Sequence, residues 1–259
     1  MTTITKRTQF ALQIAGLLMS LSAVASPPNI LIITADNLGY GDLPSFNSKT
    51  TIKTPHLDQL ATQGARLTSF YTASPTCTVS RACLLTGRIA QRHGLVNQLP
   101  GLAGNYGVGL NQKEILIPQV LKKAPVSYVT GCFGKWNIGF AEGSRPTERG
   151  FDEFIGHASG NLDYYRHNYR TQHDLYQGTK ELHRDGEYST DIFADAAIDF
   201  IQRQSKAKRP WFCYLPFNAP HCPVAGNKRP GEANIWQAPD WAFKEISLSP
   251  KEINQKKRY

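Results

Sequence analysis

Short apolar segments that alternate with amphipathic stretches constrain the fold of this chain more than any other feature. Residues 30–33 are consecutive, mostly β-branched apolar residues, which predicts a strand buried on both faces, as in a parallel sheet. Two further strands are predicted over 127–130, ending at Gly131, and over 211–217. Helices are predicted over 55–63, 117–123 and 190–204. This alternation favours an α/β fold with a largely parallel sheet flanked by helices.

The helix predictions depend on end signals and on one apolar stripe. Pro55 suits a first helical turn, and Gly64 suits the end of the same helix. Residues 164–186 are polar, rich in His and Tyr and without periodicity, so we interpret them as an insertion over the sheet edge. In the helix over 190–204, apolar residues recur on one face, namely Ile192, Phe193, Ala196, Ala197, Phe200 and Ile201.

The first 25 residues have the composition of a secretory signal peptide. Lys6 and Arg7 precede an apolar run over 10–24, and residues 23–25 read Ala-Val-Ala, a small-residue cleavage site. The alternative is an uncleaved membrane anchor, but the run is short for a membrane span. We therefore expect residues 26–259 to be exported, to the periplasm or the exterior, and not to form an integral membrane protein.

Composition and charge exclude several classes of protein. With 41% hydrophobic, 10% aromatic and 19% charged residues, the chain is neither disordered nor polytopic. Its formal net charge of +9 suits acidic ligands such as sulfated or carboxylated glycans, although a solvated basic surface is the commoner cause. No nucleic-acid-binding motif is present. The five cysteines are an odd number without the spacing of a disulfide framework or a zinc site.

The segment over 77–88 carries the most information about function. It reads Cys-Thr-Val-Ser-Arg-Ala-Cys-Leu-Leu-Thr-Gly-Arg and resembles the signature of the sulfatase family, Cys or Ser-x-Pro-Ser-Arg followed shortly by Leu-Thr-Gly-Arg. Cys77 holds the place of the nucleophile. The resemblance covers nearly all of residues 26–259 and implies an alkaline-phosphatase/sulfatase-like fold. Further segments follow in the family's order, over 29–42, 134–139, 150–154 and 218–221.

The resemblance implies covalent catalysis of sulfate ester hydrolysis. In sulfatases a formylglycine-generating enzyme oxidises the signature cysteine, here Cys77, to Cα-formylglycine, whose aldehyde hydrates to a geminal diol. One diol oxygen attacks sulfur and displaces the alcohol, and the other helps to expel sulfate. The implied substrate is a sulfated small molecule or glycan.

Particular residues take up the family's roles by resemblance. Arg81 would hold a diol or sulfate oxygen, Lys135 would contact the sulfate and the diol, and His221 would protonate the leaving alcohol. Residues 80–85 predict a helix start with Ser80 as its cap. Cys77 would then lie just ahead of a helix N-terminus, where free N–H groups favour sulfate.

The resemblance also implies a divalent cation, usually calcium. Asp36 and Asn37 match the family's Asp-Asp pair and, with the converted Cys77, would bind the ion through oxygen atoms. Asn37 replaces an aspartate, so one negative charge is lost and weaker calcium affinity is expected. Val79 replaces the proline that the generating enzyme reads. Asn137 replaces a histidine, and its amide can donate a hydrogen bond to substrate but cannot accept a proton.

The sequence leaves alternatives open. Family members are much longer, with further cation ligands, a second sulfate-binding lysine and a small C-terminal domain beyond the match to 218–221. We therefore interpret residues 26–259 as the N-terminal part of a sulfatase catalytic domain, C-terminally incomplete and with apolar surface exposed. The alternatives are an inactive remnant that binds sulfated ligands, or a phosphate or phosphonate esterase of the alkaline-phosphatase superfamily.

Overall fold

Six strands form one mixed sheet at the centre of the molecule. A computed structural model describes residues 26–99, 109–223, 237–239 and 241–242. The predicted signal peptide over 1–25 lies outside the described residues. In spatial order the strands are Ile30–Thr34 (β1), Trp211–Pro216 (β8), Val129–Lys135 (β2), Glu153–His157 (β3), Tyr176–Gln177 (β6) and Lys180–Glu181 (β7). The pairs among the first four are parallel, whereas β3-β6 and β6-β7 are antiparallel. The predicted α/β fold with a largely parallel sheet is confirmed.

The described elements follow the chain in strand–helix order. The strands are β1 (Ile30–Thr34), β2 (Val129–Lys135), β3 (Glu153–His157), β4 (Asn168–Tyr169), β5 (Gln172–His173), β6 (Tyr176–Gln177), β7 (Lys180–Glu181) and β8 (Trp211–Pro216). The helices are α1 (Pro55–Gln63), α2 (Cys77–Thr86), α3 (Ala90–His93), α4 (Ile117–Lys122) and α5 (Ser189–Lys206), with short 3-10 turns at Tyr40–Asp42 and Pro146–Arg149. The predicted helices over 55–63, 117–123 and 190–204 are thus present within two residues at each end.

Each face of the parallel part of the sheet has its own apolar core. The stripe of α5, centred on Phe193 and Phe200, packs against Phe133 of β2 and Leu215 of β8. On the other face, Ala82 and Leu85 of α2 pack with side chains of β2 and β8 and of neighbouring loops, including Cys132, Trp136, Phe151, Phe212 and Tyr214. Helix α2, which begins with the signature cysteine, is therefore fixed by its own buried side.

Strand β1 is not buried on both faces, so that prediction is wrong. It pairs only with β8 among the described residues and lies at the sheet edge. Leu31 and Ile33 are 43% and 53% exposed, whereas Ile30 and Ile32 are partly buried on the side that faces α2. A run of apolar residues specifies a strand, but the number of neighbouring layers decides which of its faces are covered.

Strand β2 extends past Gly131, where the sequence predicted its end, and reaches Lys135. Gly134 permits this because its φ of 132° lies in the left-handed region, and a Cβ there would lie 2.2 Å from the carbonyl oxygen of Pro216. β2 and β8 therefore approach closely at their carboxyl ends. Lys135, at that end of β2, lies beside Asp36, which is two residues after β1.

The polar stretch over 164–186 contains regular structure that the sequence analysis missed. Strands β6 and β7 form a hairpin that pairs with β3 and extends the main sheet, while β4 and β5 form a separate two-stranded ribbon. Each of these strands has two residues, which is too short for an alternating pattern to show in the sequence. The insertion does lie at the sheet edge, as predicted.

The described residues include all five cysteines, and each is a free thiol. Within the same residues, the helices are too short or too polar for a bilayer span.

Buried His157 at the end of β3 generates a prediction about acid stability. Its ring is fully buried, lies near the ring of Phe193 with 6.1 Å between centroids, and is 3.8 Å from Asp174. Burial and the nearby Lys135 hold the pKa of His157 well below its usual range. In the unfolded chain His157 has a pKa of about 6.5 and binds a proton below that pH, whereas in the folded chain it stays neutral to lower pH. Acidification therefore lowers the free energy of unfolding.

We expect His157→Phe to reduce this loss of stability. The measurement is urea unfolding of parent and variant at about pH 7 and about pH 5. His56→Phe, the same change at an exposed histidine of α1, is the control and should leave the pH dependence of the parent unchanged. Equal acid sensitivity in His157→Phe and the parent would contradict the prediction.

Candidate active site

A buried carboxylate with two cationic partners lies at the carboxyl ends of the central strands. Asp36, two residues after β1, accepts hydrogen bonds at Oδ2 from Lys135 Nζ and, at 3.3 Å, from Arg81. The Lys135 side chain is fully buried, and those of Asp36 and Arg81 are nearly so. Three segments of chain that are distant in sequence therefore meet through one carboxylate oxygen.

Arg81 forms the framework of this cluster. Besides Asp36, its guanidinium donates to the carbonyl oxygen of Lys135 at 2.9 Å and to the hydroxyl of Tyr214 at 3.3 Å. One side chain of α2 thus contacts the loop after β1, the end of β2 and the middle of β8. The sequence placed Arg81 next to substrate, but three of its contacts are with the protein itself.

The cluster carries an excess of positive charge. Burial raises the pKa of Asp36, but the ammonium of Lys135 and the guanidinium of Arg81 outweigh burial, so the net direction is downward and the carboxylate stays ionised. Burial and Arg81 lower the pKa of Lys135, and Asp36 opposes that shift. One buried carboxylate faces two cations, an arrangement that favours a further anion at this edge of the sheet.

Cys77 is the first residue of α2, and its thiol lies between two side-chain amides. Sγ donates to Oε1 of Gln98 at 3.3 Å, and Nδ2 of Asn137 donates to Sγ at 3.2 Å. The cap of this helix is Thr76 rather than Ser80, because helical bonding begins earlier than the sequence predicted: the Ser80 N–H already bonds the Thr76 carbonyl. The nucleophile candidate therefore belongs to the first turn of the helix.

His221 lies at the edge of the cluster with one ring nitrogen occupied. Its Nδ1 is 2.6 Å from the carbonyl oxygen of Cys222, which fixes the neutral ring with hydrogen on Nδ1 and a lone pair on Nε2. Burial and the charge of Lys135 lower the pKa of His221. The backbone carbonyl of this residue accepts from the hydroxyl of Tyr164 at 2.7 Å, so the loop itself is anchored.

The residues assigned to a cation supply only part of a coordination shell. Asn37 is exposed, with a φ of 68° that asparagine tolerates, and it follows the buried Asp36 directly. Calcium takes roughly six to eight oxygen ligands. In the described part of the chain no cluster of three or more His, Cys, Asp or Glu side chains forms a metal site. Asp36 and Asn37 alone therefore do not complete a calcium site.

The second half of the signature is structural. Leu85 is fully buried in the core, and Gly87 ends α2 in the left-handed conformation with φ of 65°. Arg88 binds both carboxylate oxygens of Glu114 at 3.0 Å. The Leu-Thr-Gly-Arg motif thus sets the end of the helix whose beginning carries Cys77.

The sequence missed two residues of the site, Gln98 and Tyr214. Gln98 lies in the loop after α3, outside the matching segments, and no sequence motif marks it. Tyr214 lies within the predicted strand over 211–217, and it is buried in the sheet. Its position in that apolar segment was the one signal, because a tyrosine hydroxyl that becomes buried needs a hydrogen-bond partner.

Residues 28–257 match the sulfatase family. The chain belongs to this family. The N-acetylgalactosamine-6-sulfatase of Canis lupus familiaris is 33% identical over 238 residues, covering 86% of this chain and 45% of that protein. Arylsulfatase A of Bos taurus is 48% identical over 137 residues, covering 52% of this chain and 26% of that protein.

A solved structure shares the fold. The crystal structure of Ps i-CgsB in complex with k-i-k-neocarrahexaose superposes with a TM-score of 0.72 at 30% identity, covering 88% of this chain and 50% of that one. Both matches cover most of this sulfatase-family chain but only about half of the longer relative.

The buried cluster predicts strong energetic coupling between Asp36 and Lys135. Lys135→Met should cost about 3 kcal/mol or more, because it removes one partner of a buried ion pair. The double variant with Asp36→Asn should cost less than the sum of the two single changes. Urea unfolding of the four proteins measures this cycle.

The exposed pair Lys122–Asp152 provides the control. Its side chains are 36% and 38% exposed, so Lys122→Met should cost less than about 1 kcal/mol. A Lys135→Met variant that is no less stable than Lys122→Met would show that the buried pair does not hold the site together.

Proposed function

We propose that this chain carries the nucleophile of a sulfatase active site, which hydrolyses sulfate esters of a sulfated small molecule or glycan. The main support for this proposal is that Asp36, Arg81 and Lys135 converge beside the first turn of α2, where Cys77 lies. Residues 26–259 act as the N-terminal part of the catalytic domain, exported after cleavage of residues 1–25. This extent and this localisation are proposals with the function.

The first turn of α2 and the side chain of Lys135 bind the sulfate group. The first N–H groups of a helix lack partners within the helix and favour an anion. Lys135, next to Asp36, supplies a charge that the single carboxylate does not neutralise. A sulfate ester placed beside Cys77 would meet positive potential from both features.

Cys77 is the proposed site of Cα-formylglycine. Maturation oxidises Cβ by two electrons, which pass to an oxidant such as molecular oxygen handled by the formylglycine-generating enzyme, and Sγ leaves as sulfide. A hydroxyl at the position of Sγ can make the bonds to Gln98 and Asn137 that the thiol makes, so the surroundings fit the modified residue. Its hydrate supplies the oxygen nucleophile.

His221 is the proposed general acid for the leaving alcohol. Because its Nδ1 is bound to the Cys222 carbonyl, Nε2 is the atom that would carry and donate the proton. Asn137, which replaces the family's histidine, holds the side chain at position 77 by a hydrogen bond and takes no proton.

Asp36 and Asn37 are the proposed contributions of this chain to a calcium site, with the converted residue 77. When bound, such an ion polarises the sulfate group. Within the described residues, no group of three or more His, Cys, Asp or Glu side chains adds to them to hold the ion.

A second candidate function is binding of sulfated ligands without turnover. It is favoured by the incomplete cation shell of the described residues and by Asn137, which contacts Cys77 with an amide where the family has a histidine that can accept a proton. Turnover measurements separate the two functions.

Hydrolysis of a chromogenic aryl sulfate tests the proposal. The chain, produced with a formylglycine-generating enzyme and assayed with calcium, should release the phenol, and Cys77→Ala should abolish release because the nucleophile is lost. Cys83→Ala, in the same helix, should retain it. Aryl phosphate should be the poorer substrate.

Unchanged turnover in Cys77→Ala would remove Cys77 from the mechanism. Faster hydrolysis of the phosphate would favour a phosphate esterase of the same superfamily. Binding of an aryl sulfate without turnover, by chain whose Cys77 is converted according to its mass, would favour the binding function.

The pKa of His221 predicts the pH dependence. A general acid acts in its protonated form, and burial lowers the pKa of His221 below its usual value of about 6.5. We therefore expect kcat to fall as pH rises through that acidic range, most steeply for alkyl sulfates, whose leaving groups need the proton. His221→Gln should remove this dependence and slow alkyl sulfates more than nitrophenyl sulfate. An identical loss for both substrates would argue against proton donation.

A further inference from the structure

Gln98 makes two contacts that tie it to the nucleophile. Its Oε1 accepts from the thiol of Cys77 at 3.3 Å and from the backbone N–H of Thr78 at 3.2 Å. An amide oxygen has two lone pairs, so both bonds can exist together. The bond from Thr78, in the first turn of α2, fixes the amide of an otherwise exposed side chain with its oxygen towards position 77.

Asn137 contacts the same atom from the other side with the opposite polarity. Its Nδ2 donates to Sγ at 3.2 Å, and the residue is buried. The absence of a side chain at Gly160 leaves room for the two amides, since a Cβ there would lie 3.2 Å from Nε2 of Gln98 and 3.7 Å from Nδ2 of Asn137. Position 77 is therefore flanked by one amide donor and one amide acceptor.

This pair of contacts discriminates between chemical forms of the side chain. A thiol or a hydroxyl can accept from Asn137 and donate to Gln98 at once. A carbonyl oxygen can accept from Asn137 but has no hydrogen for Gln98, whose oxygen would then face another oxygen. The surroundings of position 77 thus favour a group that carries both a lone pair and a hydrogen.

We propose that Gln98 is a positioning residue that keeps a formylglycine at position 77 in its hydrated form. Hydration adds one water across the C=O bond, so that Cβ carries two hydroxyls. The hydroxyl in the place of Sγ donates its hydrogen to Oε1 of Gln98, a bond that the free aldehyde cannot make. The inference rests on the proposed conversion of Cys77, but not on turnover.

The test measures the free aldehyde directly. The converted chain is treated with an aminooxy probe, which reacts with the aldehyde and not with the hydrate, and the labelling rate is followed by intact mass. Labelling of the urea-unfolded chain gives the total amount of convertible aldehyde in each preparation. The variants are Gln98→Met, of the same length without an acceptor, and Gln98→Glu, of the same length with one.

Gln98→Met should label roughly fivefold faster than the parent when folded, as expected for the loss of one hydrogen bond. Gln98→Glu should label at the slow rate of the parent, because its carboxylate still accepts. Gln91→Met, at an exposed glutamine of α3, is the matched control and should also label slowly. A faster rate in Gln98→Met alone distinguishes the hydrogen bond from mere access, since Met and Glu are of similar size.

Equal labelling of Gln98→Met and the parent would overturn the inference and leave the proposed sulfatase function intact. Slow labelling of the folded parent, fast labelling of Gln98→Met and no hydrolysis of any sulfate ester would support the inference and contradict the function. No labelling of the unfolded parent would overturn both, because position 77 would then carry no aldehyde.

Discussion

The buried carboxylate of Asp36 is the interaction on which the rest of the site depends. It lies just beyond an edge strand, yet it is ionised because Lys135 of β2 and Arg81 of α2 both donate to it. Such a charge is stable in a protein interior only when its partners are in place. The parallel order of β1, β8 and β2 brings these partners to one edge, since parallel strands end on the same side. Fold and site are thus coupled through one oxygen atom.

Charged groups set the electrostatic potential of the site, and neutral amides hold the side chain at position 77. Asp36, Arg81 and Lys135 set a positive potential, whereas the side-chain hydrogen bonds of Cys77 Sγ within the described residues are with the amides of Gln98 and Asn137. Amides orient a side chain through hydrogen bonds without changing its charge, so the geometry of the side chain at position 77 does not depend on the potential that attracts an anion. In the proposed mechanism proton transfer falls to His221, the histidine of the motif segment over 218–221.

The sequence predicted what is local and missed what depends on neighbours in space. Pro55 and Gly64 marked the ends of α1, and the apolar stripe around Phe200 identified α5, because these signals lie within one element. The exposure of Leu31 and Ile33 could not be predicted, since an apolar strand has the same sequence whether one or both faces are covered. Lys135, Arg81 and Cys77 were recognised by a family signature. Gln98 was not, because its role depends only on where its loop returns to α2.

Two incomplete features of the described structure occur at the same place. Leu31 and Ile33 leave one face of β1 uncovered, and no strand among the described residues pairs with its outer edge. The proposed cation ligands Asp36 and Asn37 follow this strand directly, with fewer oxygens than calcium requires. A segment that paired with β1 in parallel would cover that edge and end beside Asp36, so its polar residues could complete the shell. One such segment would therefore both cover the edge of β1 and bring further oxygen atoms to Asp36.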